Sequence, residues 1–80
     1  MLRMAKAVKT KHFYVEKRAG VYGGRAVVKG TWIPVWLVFQ RYRGGQTPEE
    51  IQSVYPHLSP SQIHGAVAYA FDHLAEIQTI

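Results

Sequence analysis

Four histidines, His12, His57, His64 and His73, and five carboxylates are the side chains with which this chain could do metal or acid–base chemistry, because it has no cysteine. A local metal site needs two ligands on one face of an element, as in His-x-x-x-His on a helix, and no such pair occurs. Asp72 and His73 are neighbours, but successive helical side chains point about 100° apart, so adjacency does not make them a dyad. Gly23-Gly24 suggests part of a phosphate cradle, yet the Lys-Ser/Thr and the strand-to-helix context that such a cradle requires are missing. No nucleophile stands in a recognisable setting. The expectation is therefore of no catalytic residue, no metal and no cofactor, with the histidines packed or partly exposed. The chain does not read as an enzyme.

Charge is the stronger signal. All ten Lys and Arg lie between Arg3 and Arg43, opposed only by Glu16, so residues 1–43 carry +9. From Gly44 onward there is no Lys or Arg, and Glu49, Glu50, Asp72 and Glu76 make that part −4. Segregated charge predicts two surfaces with different partners, the basic one suited to a polyanion; the plain alternative is a solvated face. The longest mostly apolar run, Trp32 to Phe39, is eight residues with a proline, against the roughly 20 of a spanning helix. Residues 1–11 never form the apolar stretch of a signal peptide and offer little apolar area to a membrane surface. Together with the lack of cysteine, this fits a reducing, cytoplasmic setting. A chain of 80 residues buries only about 60% of its unfolded surface, so self-association or a partner is expected.

The elements that must position these charges are legible from local patterns. Residues 1–11, with Arg3, Lys6, Lys9 and Lys11, lack periodicity and read as a flexible basic arm, and 12–80 as a single domain. From His12 to Ile33, β-branched and aromatic residues between glycines predict a small hairpin layer. Pro34 suits a first helical position, followed by an apolar helix from Val35 to Tyr42 that stops at Gly44-Gly45. Trp32 and Trp36 are expected in the core. Thr47-Pro48-Glu49-Glu50 and Ser59-Pro60-Ser61-Gln62 both have the form of a capping box with proline at the first helical position. They predict one helix to Tyr55 and a longer one reaching Glu76. On the latter, Ile63, Ala66, Val67, Ala70, Leu74 and Ile77 form the core stripe. The opposite face, Gly65, Ala68, Tyr69 and Asp72, is expected to pair with a second subunit, Tyr69 acting as anchor. The fold class is α+β, mostly α: an N-terminal β layer followed by a three-helix, homeodomain-like helix-turn-helix unit.

The runs Gly23-Gly24-Arg25-Ala26-Val27-Val28-Lys29-Gly30-Thr31-Trp32-Ile33-Pro34-Val35, Gly45-Gln46-Thr47-Pro48-Glu49-Glu50-Ile51, Tyr55-Pro56-His57-Leu58 and Ala68-Tyr69-Ala70 resemble the DUF433 family over about Phe13 to His73. The family usually has proline where this chain has Ala26 and arginine where it has Trp32. The resemblance implies a small helix-turn-helix protein, VapB-like, acting as antitoxin beside a PIN-like ribonuclease toxin.

Two sets of residues follow from that role. In the ordinary docking mode the third helix enters the major groove with Ser61, Gln62, His64 and Gly65, while Arg3, Lys6, Lys9 and Lys11 supply phosphate affinity. Asp72 and Glu76 on the same helix would repel phosphates. PIN-like nucleases hold metal with clustered carboxylates, so cations can plug such a site; Arg25 and Lys29 are the first candidates, Arg41 and Arg43 the reserves. The alternative is a homodimeric protein-interaction module that binds no DNA, or an orphan regulator.

Overall fold

The computed structural model describes residues 7–78, with side chains from position 10 onward. It is α+β and mostly helical. Three short strands, β1 (Ala7–Lys9), β2 (Val15–Arg18) and β3 (Ala26–Val28), form an antiparallel sheet in that order. Pairing of Val15 with Val28 and Lys17 with Ala26 puts one sheet face toward the helices, and pairing of Glu16 with Val27 defines the outer face. A 3-10 turn, Tyr22–Gly24, links β2 to β3, with Gly20, Gly23 and Gly24 all at positive φ. That conformation, open to glycine and costly for other residues, is why the glycines stand there. Strand β1, at Lys9↔Glu16 and Ala7↔Arg18, lies where the sequence predicts only a flexible arm: strand pairing follows from β2's exposed edge, and no local periodicity announces it. Arg3 and Lys6 lie outside the described residues.

Helices α1 (Val35–Arg43), α2 (Pro48–Val54) and α3 (Pro60–Asp72) follow. Pro34 is the N-cap of α1 rather than its first residue, because its carbonyl side is held in extended conformation by a bridge to Val27. Both capping boxes are present. The Glu50 and Gln62 backbone N–H groups donate to the Thr47 and Ser59 hydroxyls at 3.1 Å, and the Thr47 and Ser59 N–H groups donate back to the two side chains at 2.7 Å. These bonds satisfy donors that a helix start leaves orphaned.

The core is the seam of α1, α2, α3 and the inner sheet face, filled by Val15, Val28, Val35, Val38, Phe39, Ile51, Leu58, Ile63, Ala66 and Ala70. The last helix is broken where the sequence predicts continuity. His73 leaves helical geometry (φ −133°, ψ 46°) and α4 (Leu74–Gln78) begins afresh. Ile77 thereby enters the core, whereas Leu74, expected on the core stripe, is exposed. Among the described residues no helix is long and apolar enough to cross a membrane.

Candidate nucleic-acid interface

The N-terminal end of α3 meets the sheet layer directly. Gly65 lies against Tyr14, so closely that a Cβ at Gly65 would stand 2.9 Å from the Tyr14 Cβ. The Gln62 amide reaches the Lys29 carbonyl at 3.5 Å. Ser61 and His64 are exposed beside it. Of the base-reading candidates, Gln62 is thus committed to its capping box and to Lys29, and Gly65 to Tyr14; Ser61 and His64 remain outward. Lys11 is exposed, and Lys9 lies in β1.

Lys29 stretches over the Phe13 ring, its ammonium 4.3 Å from the centroid. Phe13 is 71% exposed. A second pair stands on the same loop: Trp32, 69% exposed, with the Arg18 guanidinium 5.5 Å from its ring. Trp32 is therefore outside, contrary to the expectation of core packing, because the β3–α1 loop folds over the outer sheet face and leaves the indole on top. Trp36 does pack against the core. Beneath the loop the Glu16 carboxylate, with the residue 8% exposed, accepts from Arg18 at 2.7 Å and from the Gly30 N–H at 3.3 Å. Arg18 also donates to the Thr31 carbonyl. A buried carboxylate requires such partners.

The acidic residues at the end of α3 and in α4 are drawn the other way. Asp72 pairs with the His12 imidazole at 2.9 Å, and Glu76 accepts from the Tyr69 hydroxyl at 2.8 Å and meets Lys17 at 3.3 Å. His73 stacks on Tyr69, with centroids 4.3 Å apart. Burial, then the hydrogen bond to Glu76 and that group's charge, hold the Tyr69 phenol well above its usual value. Tyr69 is buried within its own chain and Gly65 is filled by Tyr14, so neither is open to a second subunit as the sequence reading expected. The reason is that α3 is covered on two sides, by α1 and by the sheet. Of that expected face, Ala68 is exposed and Asp72 is held by His12.

The toxin-binding candidates are scattered. Arg25 is exposed after the 3-10 turn. Arg41 donates to the Tyr55 hydroxyl and Gln46, each at 3.4 Å. Arg43 lies over the Phe39 ring and lines a groove of about 300 Å³ with Trp36, Gln40 and Ile77. Next to that groove Phe71, exposed, makes edge contacts with Phe39 and Tyr42. Sequence reasoning missed the two aromatic–cation pairs and the His12–Asp72 contact. The i, i+2 spacing of Glu16 and Arg18 within a strand was a usable signal for their ion pair alone; the aromatic–cation pairs and the His12–Asp72 contact join residues too far apart in sequence for any local pattern.

Comparison with known proteins agrees with this architecture. A family model described as "Protein of unknown function (DUF433)" matches residues 15–70. The crystal structure of a DUF433 member protein from Anabaena variabilis ATCC 29413 is similar, with a TM-score of 0.76 and 27% identity, over 82% of this chain. The chain spans 65% of the length of that protein. No functionally curated protein matches significantly.

Proposed function

The chain belongs to the DUF433 family, and from that premise we propose that it is the antitoxin-like, DNA-binding member of a type II toxin–antitoxin pair, repressing its own operon and neutralising a PIN-like ribonuclease. The observation that carries this reading is the disposition of charge about α3. Its first turns present Ser61 and His64 beside Lys29, while the two carboxylates that would repel phosphates, Asp72 and Glu76, are paired with His12, Tyr69 and Lys17 at the far end. A helix-turn-helix unit so polarised can bring its N-terminal turn toward a duplex. Cytoplasmic location and a homodimer belong to the same proposal, the two-fold assembly being the usual means of reading paired half-sites.

The test is a mobility shift on the duplex upstream of the gene at two salt concentrations. Binding that weakens on His64→Ala at both concentrations supports the reading; no shift at low salt overturns it. A second reading, a protein-interaction module that binds no DNA, is favoured by one observation: the exposed Phe71–Tyr42 surface beside the Arg43 groove. Under that reading no mobility shift appears at either salt concentration, and Phe71→Ala abolishes capture of the neighbouring nuclease.

A further inference from the structure

From two aromatic–cation pairs that the β3–α1 loop makes with its neighbours, Lys29 with Phe13 of the β1–β2 connection and Trp32 with Arg18 of β2, we propose that the outer side of the sheet layer binds single-stranded nucleic acid by stacking bases on the two rings. This does not rest on duplex recognition by α3, which can fail while this surface functions.

Phe13 and Trp32 are the most exposed large apolar side chains among the described residues. Leaving two such rings in water is unfavourable for the monomer, and each has a cation beside it: the Lys29 ammonium over Phe13, and the Arg18 guanidinium, itself paired with Glu16, beside Trp32. A turn begins this loop, with the Thr31 N–H donating to the Val28 carbonyl at 3.0 Å, and Lys29 and Trp32 are three residues apart, so their Cα atoms lie within about 11 Å. That span suits neighbouring nucleotides of one strand. The nearby carboxylate, Glu16, is buried and neutralised by Arg18 and the Gly30 N–H, so nothing on the loop repels a phosphate backbone. Flat rings interleaved with cations are the combination that holds single strands, since every base has a π-face and every nucleotide a charge. A duplex hides those faces in its own stack, and an acidic protein offers the charge but no planar partner.

The same Glu16 contacts fix the loop before any ligand arrives. Arg18 is held from below by Glu16 and the Thr31 carbonyl, and Lys29 donates its backbone N–H to the Tyr14 carbonyl at 2.7 Å. The surface is preorganised, so binding costs little additional ordering.

The experiment titrates the full chain against fluorescein-labelled dT10 and U10, following anisotropy and tryptophan emission at 50 and 200 mM salt. Expected are binding that weakens with salt and quenching that persists in Trp36→Phe. Trp32→Ala and Phe13→Ala should each weaken binding about five- to hundredfold, the ordinary loss of one stacked base, with unchanged circular dichroism. The proposal is overturned if neither oligomer binds at 50 mM salt, or if both variants bind within twofold of the parent. It is equally overturned if a duplex of the same length, or a glutamate-rich peptide, binds more tightly than dT10 and loses as much on Trp32→Ala.

Discussion

Tyr69 shows how a single side chain can be misread from spacing and then explained by its surroundings. The sequence reading assigns it to the face opposite the stripe of Ile63, Ala66 and Ala70, although at three residues from Ala66 it falls beside that stripe; that flank is covered too, and the phenol ends buried with its hydroxyl on Glu76. Because its folded-state pKa is raised, the stabilisation is fully present below the unfolded value of about 10 and declines as pH rises beyond it. Urea titrations at pH 9 and 11 should show a larger loss in the parent than in Tyr69→Phe, which has no phenol proton to lose. Trp32 fails in the opposite sense: aromatic size argues for burial, yet the loop carrying it lies over the outer sheet face. Arg25 is a residue-scale test of neutralisation. It is exposed, and under the proposed role Arg25→Ala should reduce inhibition of the nuclease at least tenfold without changing the melting temperature. An unchanged inhibition curve removes it from the inhibitory contact.

Among the elements, what local chemistry dictates was legible. Thr47, Pro48 and Glu50, and Ser59, Pro60 and Gln62, fix where α2 and α3 begin, since a capping box is complete within four residues. Thr47→Ala and Ser59→Ala should each cost about 1 kcal/mol. For a domain of this size that is roughly 4–8 °C in Tm, readable by thermal or urea denaturation; Ser59→Ala should also loosen Gln62 from Lys29. Elements decided at long range were not legible. The edge strand β1 exists through β2, and the break at His73 goes with the return of Glu76 to the Tyr69 hydroxyl and of Ile77 to the core. The same limit applies to the candidate interface: the outward position of Ser61 and His64 follows from helix geometry, whereas the pairs Phe13–Lys29 and Trp32–Arg18 arise from strands and loops meeting in space.

At the scale of the whole molecule, a chain of +9 over its first 43 residues and −4 thereafter folds so that its two parts meet: the Lys17–Glu76 ion pair and the contact of the His12 imidazole with Asp72 tie the basic layer to the acidic helix end. Under the proposed role, deleting residues 1–6 removes Arg3 and Lys6 while sparing β1. The slope of log K against log salt on duplex DNA should then fall by up to about 2, near 0.9 for each lost phosphate contact. An unchanged slope would assign the affinity to the folded domain alone. Gln62 carries one more implication. With its amide engaged at both ends, a lone copy would, under the proposed role, bring Ser61 and His64 but not Gln62 to the groove, a vocabulary of a few letters against the millions of competing positions in a chromosome. A regulator so equipped would have to address its control region by repetition, several copies spelling together what none can spell singly.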